Sequence, residues 1–252
     1  GSKVLLLDLD IQAGQDMARM LNLTAKRSLA DGTTEIQGPD KSGLDYIKKF
    51  VISHSSGVDF LPAITSPQQI GQLSPDDVKT FLNIAAPNYD YIIIDLGYSF
   101  SEIALTALDH SNAILLVATP DILAVYQTKW CIKILQSMHF PLPMIKLVLN
   151  RSESQGGVAW QEVREALGID IICRIPSDGK GVGVALERGT PYVIDNPRGP
   201  LSEVFRKLVN DIKKGTLTFH TTGSSESQQK SVQSAAPGSP ELIALKKKIH
   251  AK

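Results

Sequence analysis

The sequence predicts an α/β fold, a mostly parallel, doubly wound sheet with helices on both faces. Two observations carry that expectation. Short β-prone apolar runs alternate with helix-length segments over roughly residues 3–215. Several of the runs, such as Leu5-Leu6-Leu7 and Ile92-Ile93-Ile94, are apolar at every position, as strands are when both sheet faces are covered. The chain also opens inside this pattern, on a strand with no strand–loop–helix unit ahead of it, so the first such unit of the fold is expected to be missing.

The strands are expected at Val4–Leu9, Val58–Leu61, Tyr91–Leu96, Ala113–Ala118, Ile145–Leu149 and Asp170–Ile175. Helices fit between them. Ser74-Pro75-Asp76-Asp77 supplies an N-cap, a proline at the first helical position and an acid three residues after the cap. Ser66-Pro67 is a weaker version of that signal. Over Asp121–His139, Leu123, Tyr126, Trp130, Ile134 and Met138 form an apolar stripe at helical spacing. Pro200–Lys214 reads as a last helix, closed by Gly215.

Beyond residue 215 the composition changes. Thr, Ser, Gln, Gly and Pro dominate residues 216–240, which predicts a flexible linker. Ser239-Pro240-Glu241 then opens a basic helix or the start of a following domain over 241–252. From residue 218 onward there are five Lys and two Glu, so this end carries about +3 in a chain of zero formal net charge. That global balance gives no pointer to nucleic acid. The 252 residues are 42% hydrophobic and 21% charged, ordinary for a globular protein. Cys131 and Cys173 show neither metal-ligand spacing nor a disulfide framework, which favours a reducing, cytoplasmic compartment. No apolar run reaches the ~18 residues of a transmembrane span.

Ligands of such sheets collect beyond the carboxyl ends of the strands, so the residues there are the candidates. Asp8 and Asp10, two apart at a strand end, can face one crevice and suit Mg²⁺ or an attacking water. Asp95 closes Tyr91-Ile92-Ile93-Ile94 and resembles the Mg²⁺-holding acid of a Walker B strand. Asn150-Arg151 closes another strand, and an amide there can read a base edge; a turn-forming Asn is the plainer alternative. Ile175-Pro176-Ser177-Asp178 ends the next. Gly179-Lys180-Gly181-Val182-Gly183 is glycine-rich but lacks the Lys-Ser/Thr ending of a phosphate loop.

Taken in order, LLLDLDIQAG, YIIIDLGYSFSE, LVLNR and IPSDGKGVGVALERGTPY resemble the ParA/MinD family of deviant Walker P-loop ATPases over residues 3–215. IDLGYSFSE and ATPDILAVYQT are most similar to its CpaE/TadZ branch, whose members serve tight-adherence (Flp-type) pilus assembly and secretion. The resemblance implies that Asp8 and Asp10 are the catalytic acids and that Asp10 and Asp95 lie at Mg²⁺. Gln12 and Gly14 would belong to a first switch, and residues 97–100 to a second. Asn150, Arg151, Pro176 and Asp178 would flank the adenine of ATP. It further implies a homodimer, a CpaF-type ATPase as partner, and recruitment from the cytoplasm to the inner membrane or cell pole, with membrane contact through 242–252. The family's phosphate loop, Gly-Lys-Gly-Gly-Val-Gly-Lys-Thr, is not present in the sequence, and Gly97-Tyr98 departs from the Pro-Pro-Gly second switch of many members. Loss of that loop and its strand would strip packing from Val4, Leu6, Ile92 and Ile94. Three rivals remain: a degenerate, non-hydrolysing localisation scaffold, a MinD/ParA-type positioning ATPase, and a haloacid dehalogenase-like phosphatase. The last also opens on Asp-x-Asp, but wants Thr or Val where this chain has Gln12.

Overall fold

The structure is a computed structural model and describes residues 1–32, 44–154 and 156–215. The expected linker at 216–240 and basic helix at 241–252 lie outside the described residues. In chain order the elements are β1 Val4–Asp8, α1 Asp16–Met20, α2 Leu29–Gly32, α3 Leu44–Ile47, β2 Ile52–Ser53, β3 Val58–Pro62 and α4 Pro75–Ala85. There follow β4 Tyr91–Asp95, α5 Glu102–Asp109, β5 Ile114–Ala118, α6 Ile122–Ser137, β6 Ile145–Leu149, α7 Trp160–Leu167 and β7 Ile171–Arg174. The last three are α8 Gly179–Glu187, α9 Tyr192–Asp195 and α10 Pro200–Lys213.

All six expected strands are present, each within a residue or so of its expected ends. Together with the unforeseen short β2 they form two sheets, ordered β2-β3-β1-β4 and β5-β6-β7, and every pairing is parallel except that of β2 with β3. Leu5 and Leu7 of β1 are fully buried with Leu61, Val78 and Phe81 in one apolar cluster. Leu147 and Leu149 of β6 are fully buried with Leu135 and Val163 in a second. Helix α5 joins the two, since Ala107 packs in the first and Leu108 in the second, and Leu96 packs against both. The helix starts are set locally. Ser74 and Asp77 form a capping box, and Ser101, Asp121 and Asp178 each accept a backbone N–H at the start of α5, α6 and α8.

Among the described residues β4 pairs only with β1, and β5 only with β6, so each presents an unpaired edge. Apolar side chains are uncovered beside those edges: Ile93 is 55% exposed and Val117 65%. This corrects one sequence expectation. Ile92 and Ile94 pack against the first cluster, and it is Ile93, of the opposite alternation, that lacks cover.

Helix α6 corrects another. The buried face is Val125, Thr128, Ile132 and Leu135, whereas Leu123, Tyr126 and Trp130 point to solvent. The helix has two apolar stripes on roughly opposite sides at 100° per residue, and the sheet takes the one rich in β-branched residues.

Candidate functional site

Parallel pairing puts the carboxyl ends of β1 and β4 side by side, with Asp8 in register with Asp95. The ladder continues past Asp8, where the Leu9 N–H donates to the Asp95 carbonyl at 2.8 Å. Asp8 is only 4% exposed. Its Oδ1 accepts the Asp10 N–H at 3.1 Å. Burial pushes its carboxyl up to about 6 against that hydrogen bond, helped by the negative charges of Asp95, Asp10 and Asp16. The sequence brings the two acids of the Asp-x-Asp pair together, but not as equals: one is buried and one stands at the surface of the crevice.

Asp10 organises the turn that follows. Its Oδ1 accepts the backbone N–H of Gln12 at 3.1 Å and of Ala13 at 3.4 Å, and Gly14 continues the turn at φ +66°. On the other strand, Asp95 Oδ1 accepts the Gly97 N–H at 3.0 Å. Gly97 adopts φ +61°, and a Cβ built there would stand 2.5 Å from Asp10 Cγ. The end of β4 is thus folded directly onto Asp10, and glycine is what permits the approach. Sequence reasoning assigned Gly97 to a switch without foreseeing this contact. The signal was available as a glycine two residues after a strand-closing Asp.

These oxygen donors suit Mg²⁺, a hard cation that keeps several waters and takes few protein ligands. Among the described residues no group of three or more His, Cys, Asp or Glu is placed to hold a metal together. An ion at this cluster would rest on one or two carboxylates, Asp10 and Asp95, with phosphate and water completing its shell.

The residues expected around a base lie at the ends of β6 and β7. Asn150 Oδ1 accepts the Arg151 N–H at 2.9 Å, and Arg151 has φ +51°, so the turn-forming reading of Asn150 holds for its oxygen. The Asn150 amide nitrogen has no partner among the described residues and remains able to donate. The Arg151 side chain is exposed. Asp178 serves its own helix: Oδ1 accepts the Gly181 N–H at 2.9 Å and Oδ2 accepts the Tyr192 hydroxyl. The Tyr192 hydrogen bond holds the Asp178 carboxyl below the usual range. Gly179, Gly181 and Gly183 lie in α8, so the glycine-rich stretch is a helix opening and not a phosphate loop. Pro176 lines a cavity of about 590 Å³, between Trp160 and Arg174 on one side and Leu208 of α10 on the other. None of Asp8, Asp10 and Asp95 lines it.

Sequence reasoning also missed a hub behind the crevice. The Gln69 Oε1 accepts the Thr65 N–H at 2.7 Å and the Ser66 N–H at 3.2 Å, and its Nε2 donates to Asp31 at 2.7 Å. Gln15 Nε2 donates to the Thr65 carbonyl, which ties the segment after Asp10 to the segment after β3. No helix among the described residues is long and apolar enough to cross a membrane.

Comparison with known proteins fits this geometry. A family model described as ParA, the NUBPL iron-transfer P-loop NTPase, matches residues 1–213. The septum site-determining protein MinD of Thermotoga maritima is 27% identical over 146 residues, 56% of this chain. The chain spans only about half of that relative, 53% of its length. Among solved structures, a ParA family ATPase from Chlorobium tepidum superposes with a TM-score of 0.74 at 26% identity, covering 83% of this chain and 85% of the other. The Pyrococcus horikoshii MinD, solved in complex with Mg-ADP, gives 0.71 at 20% identity over 85% and 84%.

Proposed function

Because the chain belongs to the ParA family of P-loop NTPases, we propose that its sheet is the core of a MgATP-dependent positioning ATPase of the ParA/MinD type. The observation that carries this reading is the meeting of Asp8, Asp10 and Asp95 at neighbouring parallel strand ends, beside the unpaired edge of β4. A strand entering between β4 and β5 would pair both edges and cover Ile93 and Val117. A phosphate loop at its carboxyl end would then face the three acids, and its backbone N–H groups and lysines would supply a cationic cradle.

In this reading Asp95 and Asp10 would hold Mg²⁺, which would supply neutralisation of the phosphate charge. Asp10 also fixes the switch turn through Gln12 and Ala13, and Gly97 keeps the second switch against it. Asp8 anchors Asp10 through the backbone and, titrating near 6, can hold a proton inside the crevice. The Asn150 amide and Pro176 are the candidates for the base; Asp178 acts on them only through α8. The phosphatase rival is set aside by the family match. The motifs IDLGYSFSE and ATPDILAVYQT support a CpaE/TadZ-like role in placing a tight-adherence pilus system, with a homodimer and a CpaF-type partner at the inner membrane or pole. A non-hydrolysing scaffold is the second reading. The observation favouring it is that Asn150 and Asp178 both spend carboxamide or carboxylate oxygens on local turns and caps.

The test is a titration of MgATP against two polypeptides, the chain itself and the chain joined behind a strand–loop–helix unit bearing Gly-Lys-Gly-Gly-Val-Gly-Lys-Thr. A true site at 100 times its dissociation constant stabilises by about 2.7 kcal/mol. The longer form should show a saturable shift of that order, weakened by Asp95→Asn, and the shorter form should not. Release of phosphate by the longer form separates the ATPase from the scaffold. A full shift in the shorter form would place the phosphate site elsewhere.

A further inference from the structure

The glycine-rich stretch that opens α8 is not a phosphate loop, and the packing around Tyr192 accounts for one of its glycines. Tyr192 begins α9, and its ring packs against the cluster of Val148, Cys173, Ile175 and Leu201. Its hydroxyl donates to Asp178 Oδ2 and accepts the Asn196 side-chain amide at 3.1 Å. The Asn196 carbonyl in turn accepts the Ser202 hydroxyl at 2.6 Å, in the first turn of α10. Glycines stand where the ring comes close. A Cβ on Gly181 would lie 2.7 Å from Tyr192 Cε2, and one on Gly199 would meet the Tyr192 hydroxyl and, at 2.5 Å, the Asn196 amide nitrogen. Neither glycine has a positive φ, so what they supply here is room rather than a left-handed backbone.

These contacts act on the segment that is the candidate for the base. At the ends of β6 and β7 the ladder closes at Ile175, whose N–H donates to the Leu149 carbonyl at 2.8 Å and whose carbonyl accepts the Ser152 N–H at 2.9 Å. Asn150 follows Leu149, and Pro176 follows Ile175. Proline has no N–H with which to carry the ladder further. The next side-chain anchor is Asp178, which caps α8 through the Gly181 N–H at 2.9 Å and is held by Tyr192. Pro176 and Ser177 are therefore slung between two fixed points, the Leu149–Ile175 contact and the Asp178 carboxylate. Resting on the nucleotide reading above, we propose that Tyr192 is a positioning residue for the nucleobase. By clamping the start of α8 it fixes Pro176 relative to the Asn150 amide, and so raises affinity for ligands that carry a base. Tyr192 itself touches neither base nor phosphate in this role. A loop held in place before the ligand arrives binds more tightly, because its ordering entropy is not lost on binding.

In the chain by itself, Tyr192→Phe removes the hydroxyl and leaves the ring and the Gly181 cap. Amide hydrogen exchange over residues 177–181 should quicken at least about threefold in that variant. In the polypeptide joined behind the strand–loop–helix unit, the ligands are MgATP and Mg-tripolyphosphate, the second carrying phosphates without a base. Calorimetry should show Tyr192→Phe weakening MgATP about three- to tenfold, the range of one hydrogen bond, and leaving tripolyphosphate within about twofold. Gly181→Ala should do the same although alanine is the better helix former, because its Cβ displaces the ring. Asp178→Asn keeps an oxygen for the Gly181 N–H and an amide that can donate to the Tyr192 hydroxyl, so it should retain the parent's preference for ATP. Unchanged exchange in the chain, equal weakening of both ligands, or an unaltered ratio between them overturns the proposal; equal weakening would make Tyr192 a general stabilising contact. Failure of the longer parent to bind either ligand is a different result: it overturns the nucleotide reading, and this proposal with it.

Discussion

Replacing Asp8 by Asn should change how stability depends on pH, and in a direction opposite to that of most acids. Asp8 is buried at the end of β1, and its carboxyl is pushed from 3.8 to about 6. Below pH 3.8 it is protonated in the folded and unfolded chain alike. Between about 4 and 6 the folded state holds the proton and the unfolded state does not, so the unfolded state binds fewer protons and stability falls as pH rises. Above about 6 the group is ionised in both states and its full penalty is present. A rise from 3.8 to about 6 corresponds to at most ~3 kcal/mol at 1.36 kcal/mol per pKa unit. Asn keeps an oxygen to accept the Asp10 N–H and carries no charge. Urea melts from pH 4 to pH 7.5 should therefore show the variant gaining on the parent by up to ~3 kcal/mol across that window. In thermal melts the gain is about 2–4 °C per kcal/mol for a chain of this size. Parallel pH curves for the two proteins would refute the burial argument and place Asp8 in a solvated or cation-paired setting.

Gly97→Ala should destabilise the crevice, since a left-handed backbone costs a side chain ~1–2 kcal/mol before the clash with the Asp10 carboxylate is added; a urea melt unchanged from the parent would remove the contact between the two strand ends. Ile93→Thr with Val117→Thr should alter the stability of the chain by no more than about 0.5 kcal/mol, as exposed sites do. In a polypeptide whose added strand–loop–helix unit covers them, each buried hydroxyl should cost ~1–3 kcal/mol, and equal effects in the two forms would exclude a strand at that edge.

The strands were legible because they are short, continuous, β-prone apolar runs set off by turn and helix-start signals, even where one face is uncovered, as at Ile93 and Val117. Helices α4 and α10 were legible because their capping signals are local. The short helices α1, α2, α3 and α9 were not, because at four or five residues they depend on distant partners, as when the Ala30 N–H reaches the Ala63 carbonyl. Helix α6 was legible in extent but not in orientation, since apolar residues surround it and only the sheet decides which stripe is inside. At the site, the acids were readable from their place at strand ends. Their inequality was not, because it comes from the cover over Asp8 and from Gly97 folding onto Asp10. At Asp178 the motif was legible, but not its local role, in which it accepts the Gly181 N–H and the Tyr192 hydroxyl as the cap of α8.

The position of Asp95 links the fold to its chemistry. It ends a strand that is paired on one side with β1 and, among the described residues, unpaired on the other. A parallel neighbour added there would present its own carboxyl end beside Asp95, because it would run in the same direction as β4. The same addition would join the two sheets through β5 and cover Ile93, Leu115 and Val117, the apolar side chains now most exposed on these strands. Burial first, and then the neighbouring charges of Asp95, Asp10 and Asp16, raise the Asp8 carboxyl, and a cationic loop or Mg²⁺ would relieve the repulsive part of that rise. If the added strand carries the proposed phosphate loop, sheet completion and neutralisation of the acids coincide, and stability and nucleotide affinity should rise or fall together.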